Sequence, residues 1–129
     1  MEKHRFYCCE RCGNLVGLIE SSGRPLACCG QPMAELHANS TDAAGEKHVP
    51  VVERRGAAVS VAVGNIHHPM EEKHSIRWVY LQTDRGGQRK ALNPGEAPVA
   101  EFVLAPDDRP VAAYAYCNLH GLWCTAIDG

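Results

Sequence analysis

Ala58-Val59-Ser60-Val61-Ala62-Val63 alternates branched apolar side chains with small ones, and the same period of two returns at Ile76, Trp78 and Tyr80. A period of two sends alternate side chains to opposite faces, which predicts half-buried β-strands. Outward from these segments, further apolar runs at Val99 to Leu104 and Val111 to Tyr116 are set apart by Asn93-Pro94-Gly95 and Pro106-Asp107-Asp108. Turn chemistry recurring about every ten residues joins short strands, and the spacing predicts an antiparallel β-sandwich. The chain of 129 residues has 12 Gly and 8 Pro, with no internal repeat and no long helical pattern, so the fold class is mainly β.

The first 36 residues differ in kind. They hold five of the seven cysteines, a turn at Ser21-Ser22-Gly23-Arg24-Pro25, and one expected strand pair, Leu15 to Glu20 against Leu26 to Cys28. So small a piece cannot bury enough apolar surface alone, and a metal is the usual staple for it. Cys9-Glu10-Arg11-Cys12-Gly13 is a CxxC turn, followed after fifteen intervening residues by the vicinal pair Cys28-Cys29 and Gly30. A CxxC knuckle presents two sulfurs on one side of a turn, so four thiolates converge. Adjacent cysteines on one ion need a sharp bend, which distorts the tetrahedron and suits redox tuning. On spacing alone zinc and iron both fit a tetrahedral sulfur set, and an unliganded or oxidised Cys28-Cys29 is a further alternative. Cys8 lacks the knuckle spacing and reads as a non-ligand. From His37 to Lys47 the chain turns polar; Asn39-Ser40-Thr41-Asp42 can cap a single helical turn before Gly45. This stretch reads as a linker and then an active-site loop.

Charge and hydropathy exclude other classes. The net charge of −2, without a basic run, lacks the electrostatic footprint of a nucleic-acid binder. The longest apolar stretches fall well short of the roughly 18 residues that span a bilayer, and the start lacks the apolar region of a secretion signal. The expected location is the cytoplasm. In a reducing compartment clustered cysteines bind metal or do redox chemistry, and an odd cysteine count argues against a closed disulfide framework.

The β region carries a second constellation: Glu46-Lys47-His48-Val49-Pro50, His68-Pro69-Met70-Glu71-Glu72-Lys73-His74, and Cys117-Asn118-Leu119-His120. Each histidine alone reads more readily as a surface or satisfied core residue. Together, Cys117-x2-His120 at a strand end and two histidines flanking a Pro-containing turn call for a common explanation. Imidazoles with one thiolate suit iron, copper or zinc, but five donors exceed the four of a closed zinc site. Iron(II) with one open position fits better, and a thiolate would push electron density onto it.

These constellations, in this order, resemble the desulfoferrodoxin family of two-iron superoxide reductases, and the likeness runs nearly end to end. The N-terminal part is similar to desulforedoxin through Tyr7, Cys9-x2-Cys12-Gly13-Asn14, Cys28-Cys29 and Met33; the remainder is similar to neelaredoxin through Glu46 to Pro50, His68 to His74 and Cys117 to Gly121. The resemblance implies a desulforedoxin-like domain at 1–36, a linker and active-site loop at 37–47, and an immunoglobulin-like sandwich at 48–129. It implies an FeS4 centre on Cys9, Cys12, Cys28 and Cys29, and a second iron with His48, His68, His74 and His120 around it and Cys117 axial. It further implies that Lys47 offers positive charge at the open position, which Glu46 can occupy on oxidised iron. The implied activity is reduction of superoxide to hydrogen peroxide in oxidative-stress defence, by a homodimer fed by a rubredoxin-like or other small electron donor. Cys8, Gly45, His67 and Cys124 depart from the family pattern without removing a ligand, and His4 and His37 read as surface residues. Rival readings are a rubredoxin-like electron carrier, which has no use for the five-ligand set, and a colourless structural zinc module.

Overall fold

The structure is a computed structural model that describes residues 2–128, and the chain divides into two units, Glu2–His37 and the part from Ala38 onward. In the first, β1 (Arg5–Cys8) pairs antiparallel with β2 (Leu15–Leu18), Cys8 opposite Leu15, and Cys9 to Asn14 forms the connecting turn. A second hairpin pairs β3 (Ala27–Cys28) with β4 (Gln31–Pro32), and β5 (Ala34–Glu35) adds to the free edge of β1. The expected pairing of Leu15 to Glu20 with Leu26 to Cys28 is therefore wrong. Each cysteine knuckle is instead the turn of its own hairpin, Cys9 to Asn14 between β1 and β2 and Cys29-Gly30 between β3 and β4. The buried apolar side chains among the described residues of this unit are Phe6 and Cys9, which is no core at all by the standard of a self-standing domain.

The second unit begins with a single helical turn, α1 (Gly45–His48). The expected side-chain cap from Asn39 to Asp42 does not form: Ala44 is the N-cap and makes no capping bond. Asn39 instead adopts a left-handed φ of 59° and grips a strand edge, its amide exchanging bonds of 3.1 and 3.0 Å with the backbone of Cys124. Seven strands follow: β6 (Pro50–Arg55), β7 (Ala58–Val63), β8 (Ile76–Thr83), β9 (Gly86–Ala91), β10 (Val99–Val103), β11 (Pro110–Cys117) and β12 (Gly121–Ala126). They form antiparallel sheets in the orders β10-β7-β6 and β12-β11-β8-β9, with β6 packed against β11 and β12. Val59, Val61, Val63, Ala100 and Phe102 of the first sheet meet Ile76, Val79, Leu81, Ala113, Ala115 and Cys117 of the second in one core.

The alternation read at Ile76, Trp78 and Tyr80 does not describe one face. Tyr116 pairs with Trp78 but Cys117 pairs with Ile76, leaving Arg77 as the extra residue of a bulge. One extra residue reverses the side-chain parity. Ile76 thus shares the core with Val79 and Leu81, while Trp78 stacks on Tyr116 and Tyr80 meets Tyr114 edge-on on the opposite face. The bulge lets β11 end with Cys117 inside the core.

The loop after β7 pins the helical turn. Gly64 N–H donates to the Val49 carbonyl at 3.2 Å, Ile66 N–H to that of Glu46 at 3.1 Å, and His68 N–H to that of Val63 at 3.1 Å. Gly64 has a φ of 86°, and a Cβ there would meet the Ile66 carbonyl and lie 2.6 Å from Lys47 Cα and 2.7 Å from the Glu46 carbonyl oxygen. Gly64→Ala should therefore destabilise the protein by roughly 1–2 kcal/mol for the left-handed backbone and a further 1–3 kcal/mol for the overlap. A denaturant titration of the metal-loaded protein would check this; an unchanged midpoint would mean that the backbone approach is not a constraint.

Candidate metal centres

The first candidate centre is built by the two hairpin turns. Two residues, Cys29 and Gly30, separate the pair Cys28 and Gln31, and both have positive φ, 54° and 75°, the geometry of a type I′ turn. That bend brings neighbouring sulfurs to one side: Cys28 Sγ lies 4.0 Å from Cys29 Sγ and 3.5 Å from Cys12 Sγ. A left-handed cysteine carries about 1–2 kcal/mol of strain, which the surroundings must hold in place. The sulfurs of Cys9, Cys12, Cys28 and Cys29 all lie within 4.8 Å of one another. For metal–sulfur bonds of about 2.3 Å the edge of a tetrahedron is about 3.8 Å, so the set fits a tetrahedral ion. Its electrostatics agree. The N–H of Cys12, with that of Arg11, draws the Cys9 thiol down to about 6, while competition from Cys12, Cys9 and Cys28 pushes Cys29 up to about 12. The opposite shifts of Cys9 and Cys29 leave protons shared among packed sulfurs, which a cation would replace. Asn14 Nδ2 adds a weak donor to Cys28 Sγ at 3.6 Å.

The second centre gathers donors from α1, the β7–β8 loop, the end of β11 and the turn after it. One ligand atom each from His48, His74, Cys117 and His120 lies within 4.8 Å of the others. His68 stands beside them, with Nε2 3.1 Å from His48 Nε2 and 3.4 Å from Cys117 Sγ. His48 Nδ1 donates to the Ala44 carbonyl at 2.7 Å and His68 Nδ1 to the Pro69 carbonyl at 2.6 Å. A carbonyl can only accept, so in the neutral ring each Nε2 is a bare lone pair. Two bare nitrogens therefore face each other at 3.1 Å. His120 Nδ1 is 3.1 Å from the same His48 Nε2, and His74 Nε2 is buried with no hydrogen-bond partner. Protonation does not relieve this arrangement near neutral pH, because burial holds His48 below the ordinary histidine value and pushes His68 down to about 4. A metal cation fits where a proton does not.

Trp123 supports the set from β12. Its ring stacks on that of His48 at 4.8 Å, and Nε1–H donates to the His120 carbonyl at 3.2 Å. Thr125 Oγ1 donates to the Pro50 carbonyl at 2.6 Å, which holds the start of β6, just after His48, against β12.

All nine candidate ligands thus fall into two groups. Glu46 and Lys47 lie on α1 outside the ligand group, Glu46 exposed and Lys47 half-buried, close enough for the Lys47 charge to act on His48. His67 and His37 are exposed, His4 is half-buried, and Cys8 and Cys124 belong to neither group. The reading of the motifs missed Trp123 and the backbone carbonyls of Ala44 and Pro69; a tryptophan three residues beyond His120 was the one visible signal.

Comparison with known proteins gives a consistent result. The family described as desulfoferrodoxin matches residues 40–126, and that described as desulfoferrodoxin, N-terminal domain, matches residues 1–36. A desulfoferrodoxin homolog of Archaeoglobus fulgidus is 48% identical over 95% of this chain and 96% of that protein. The desulfoferrodoxin of Nitratidesulfovibrio vulgaris is 46% identical over 94% of each. The crystal structure of the superoxide reductase from Treponema pallidum superposes with a TM-score of 0.81 at 39% identity, covering 96% of this chain and 99% of that one.

Because the two donor sets share no residue, Cys12→Ser should empty the first and leave the second filled, and Cys117→Ser should do the reverse. Metal analysis with an optical spectrum would read this. Cys8→Ser and Cys124→Ser should change neither signal. Loss of both metals in Cys12→Ser would show that the centres are not independent.

Proposed function

The chain belongs to the desulfoferrodoxin family, and from that premise we propose that it is a superoxide reductase, taking superoxide, one electron and two protons to hydrogen peroxide without releasing oxygen. The observation that carries the reading is the set of buried His48, His68 and Cys117 with half-buried His74 and His120, which brings facing lone pairs and one sulfur together. Iron is assigned to that set and to Cys9, Cys12, Cys28 and Cys29. When bound at the second set, iron supplies a one-electron redox centre with Lewis acidity toward a small anion.

The protein's own groups prepare that chemistry. The Ala44 and Pro69 carbonyls fix the tautomers of His48 and His68, so their Nε2 atoms need no rearrangement to act as donors. Cys117 is fully buried and is the one soft donor, and to a metal held there it would supply electron density. Lys47, whose charge reaches His48, would attract the anionic substrate, and Glu46, on the same helical turn, would offer a carboxylate to a metal held there.

Exposure of Cys12 and Cys29 supports a role for the first centre in receiving electrons from a small carrier of the rubredoxin kind or another donor. A protein that was itself only such a carrier would have no use for the second set. No helix among the described residues is long and apolar enough to cross a membrane. A cytoplasmic homodimer completes the proposal, on the strength of the family resemblance.

Metal analysis tests the core of this reading: about two irons per chain are expected, with little zinc, and superoxide should disappear without oxygen release. Stoichiometric zinc at both centres would sink it. Lys47 gives a finer test. Between unit charges roughly 8 Å apart, at an effective dielectric of about 20 to 80, the attraction is on the order of 0.5–2 kcal/mol. Lys47→Ala should therefore slow the bimolecular reaction about twofold to thirtyfold and flatten its decline with salt, while Lys47→Arg should restore most of the rate. Pulse radiolysis across ionic strengths would measure this, and identical salt slopes in all three proteins would remove Lys47 from the mechanism.

A further inference from the structure

Asn118 lies between two of the assigned ligands, Cys117 and His120, yet its side chain serves a third. Its Oδ1 accepts from the N–H of Ser75 at 3.0 Å, and its Nδ2 donates to the carbonyl of Lys73 at 2.8 Å. Its own backbone N–H reaches the Ser75 carbonyl at 3.3 Å. The three bonds bracket His74. We propose that Asn118 is a positioning residue for the second centre, locking the His74 segment to the strand end that carries Cys117. The proposal rests on the assignment of iron to that centre.

The chemistry of the carboxamide explains why this side chain suits the place. Backbone pairing between β11 and β8 ends at Cys117 and Ile76. One acceptor and one donor in a single plane reproduce what the next residue of a ladder would offer, so Asn118 continues the pairing past the bulge by its side chain. The His74 loop is otherwise closed on itself, Glu71 N–H donating to the His74 carbonyl at 2.9 Å and His74 N–H to that of Glu71 at 3.1 Å. Those bonds shape the turn but do not tie it to Cys117. His74 Nε2 has no hydrogen-bond partner to aim the ring, so apart from its edge contacts with the His68 and His120 rings its direction is set by the backbone that Asn118 holds. Ser75 is fully buried, and its N–H would lose its partner if the amide were removed.

Removing a group that orients a ligand typically weakens metal binding by about 10–100-fold. The full-length, iron-loaded protein should be compared with Asn118→Ala and Asn118→Asp, reading the thiolate-to-iron charge-transfer band and the rate of iron loss from the second centre to a chelator. Asn118→Ala should shift the band and speed iron loss by roughly that factor, with the four-cysteine signal unchanged as an internal control. Asn118→Asp keeps the acceptor for Ser75 and loses the donor to Lys73, so it should fall between Asn118→Ala and the wild type. A lower melting temperature with an unmoved band and unmoved release rate would overturn the proposal, because it would reduce Asn118 to a stabilising contact. Should Asn118→Ala not fold, Asn118→Asp decides by the same two readouts. A wild-type protein without the band, or with a band that survives Cys117→Ser, would instead overturn the iron assignment on which the proposal rests.

Discussion

The facing lone pairs of His48 and His68 are the constraint around which the second unit is arranged. Two unprotonated nitrogens at 3.1 Å repel, and the same low-dielectric surroundings that make them poor bases keep a proton from settling between them. The apparent conflict is resolved by a cation, and much of the local structure maintains it. Carbonyls hold the outward nitrogens, an indole covers one ring, and a glycine lets two backbone segments approach closely enough to bring α1 over the sandwich. They are preorganisation, sustained by the continuous core beneath.

The two centres solve the problem of holding a metal in opposite ways. The four-cysteine set sits on a unit with almost no core, where two tight hairpins provide the geometry and the metal provides the cohesion. The imidazole set sits at one end of a sandwich that already buries a dozen side chains, so there the fold provides cohesion and the metal relieves a strain. This difference makes the independence of the two donor sets physically reasonable, beyond their lacking a common residue.

Much of this was legible in the chain because the signals are local. Alternation at Ala58 to Val63 reports a half-buried strand, and CxxC followed by a vicinal pair reports a sulfur set, since each depends on a few neighbouring residues. What escaped depends on partners far away in sequence. β2 pairs with β1 across the CxxC turn and β3 with β4 across the vicinal pair, so the pairing follows the two cysteine turns and not the apolar runs beside Ser21 to Pro25. The bulge at Arg77 is invisible in β8 itself and exists because β11 must end with Cys117 facing inward. Asn39 looked like a helix cap because nothing near it reveals the edge of β12, some eighty-five residues on. The roles of Trp123 and Asn118 were hidden for the same reason.

The sequence separation of the donors also sets the order in which the protein becomes complete as it is synthesised. Cys9 and Cys28 are nineteen residues apart, and their hairpins can form as soon as they leave the ribosome. His48 and His120 are seventy-two apart, so the second centre has no ligand shell until nearly all strands of both sheets have been made and paired. A metal can be captured by the first set while the chain is growing. At the second it can be held only once the sandwich has folded, so that centre is completed last, as a step of maturation that follows folding.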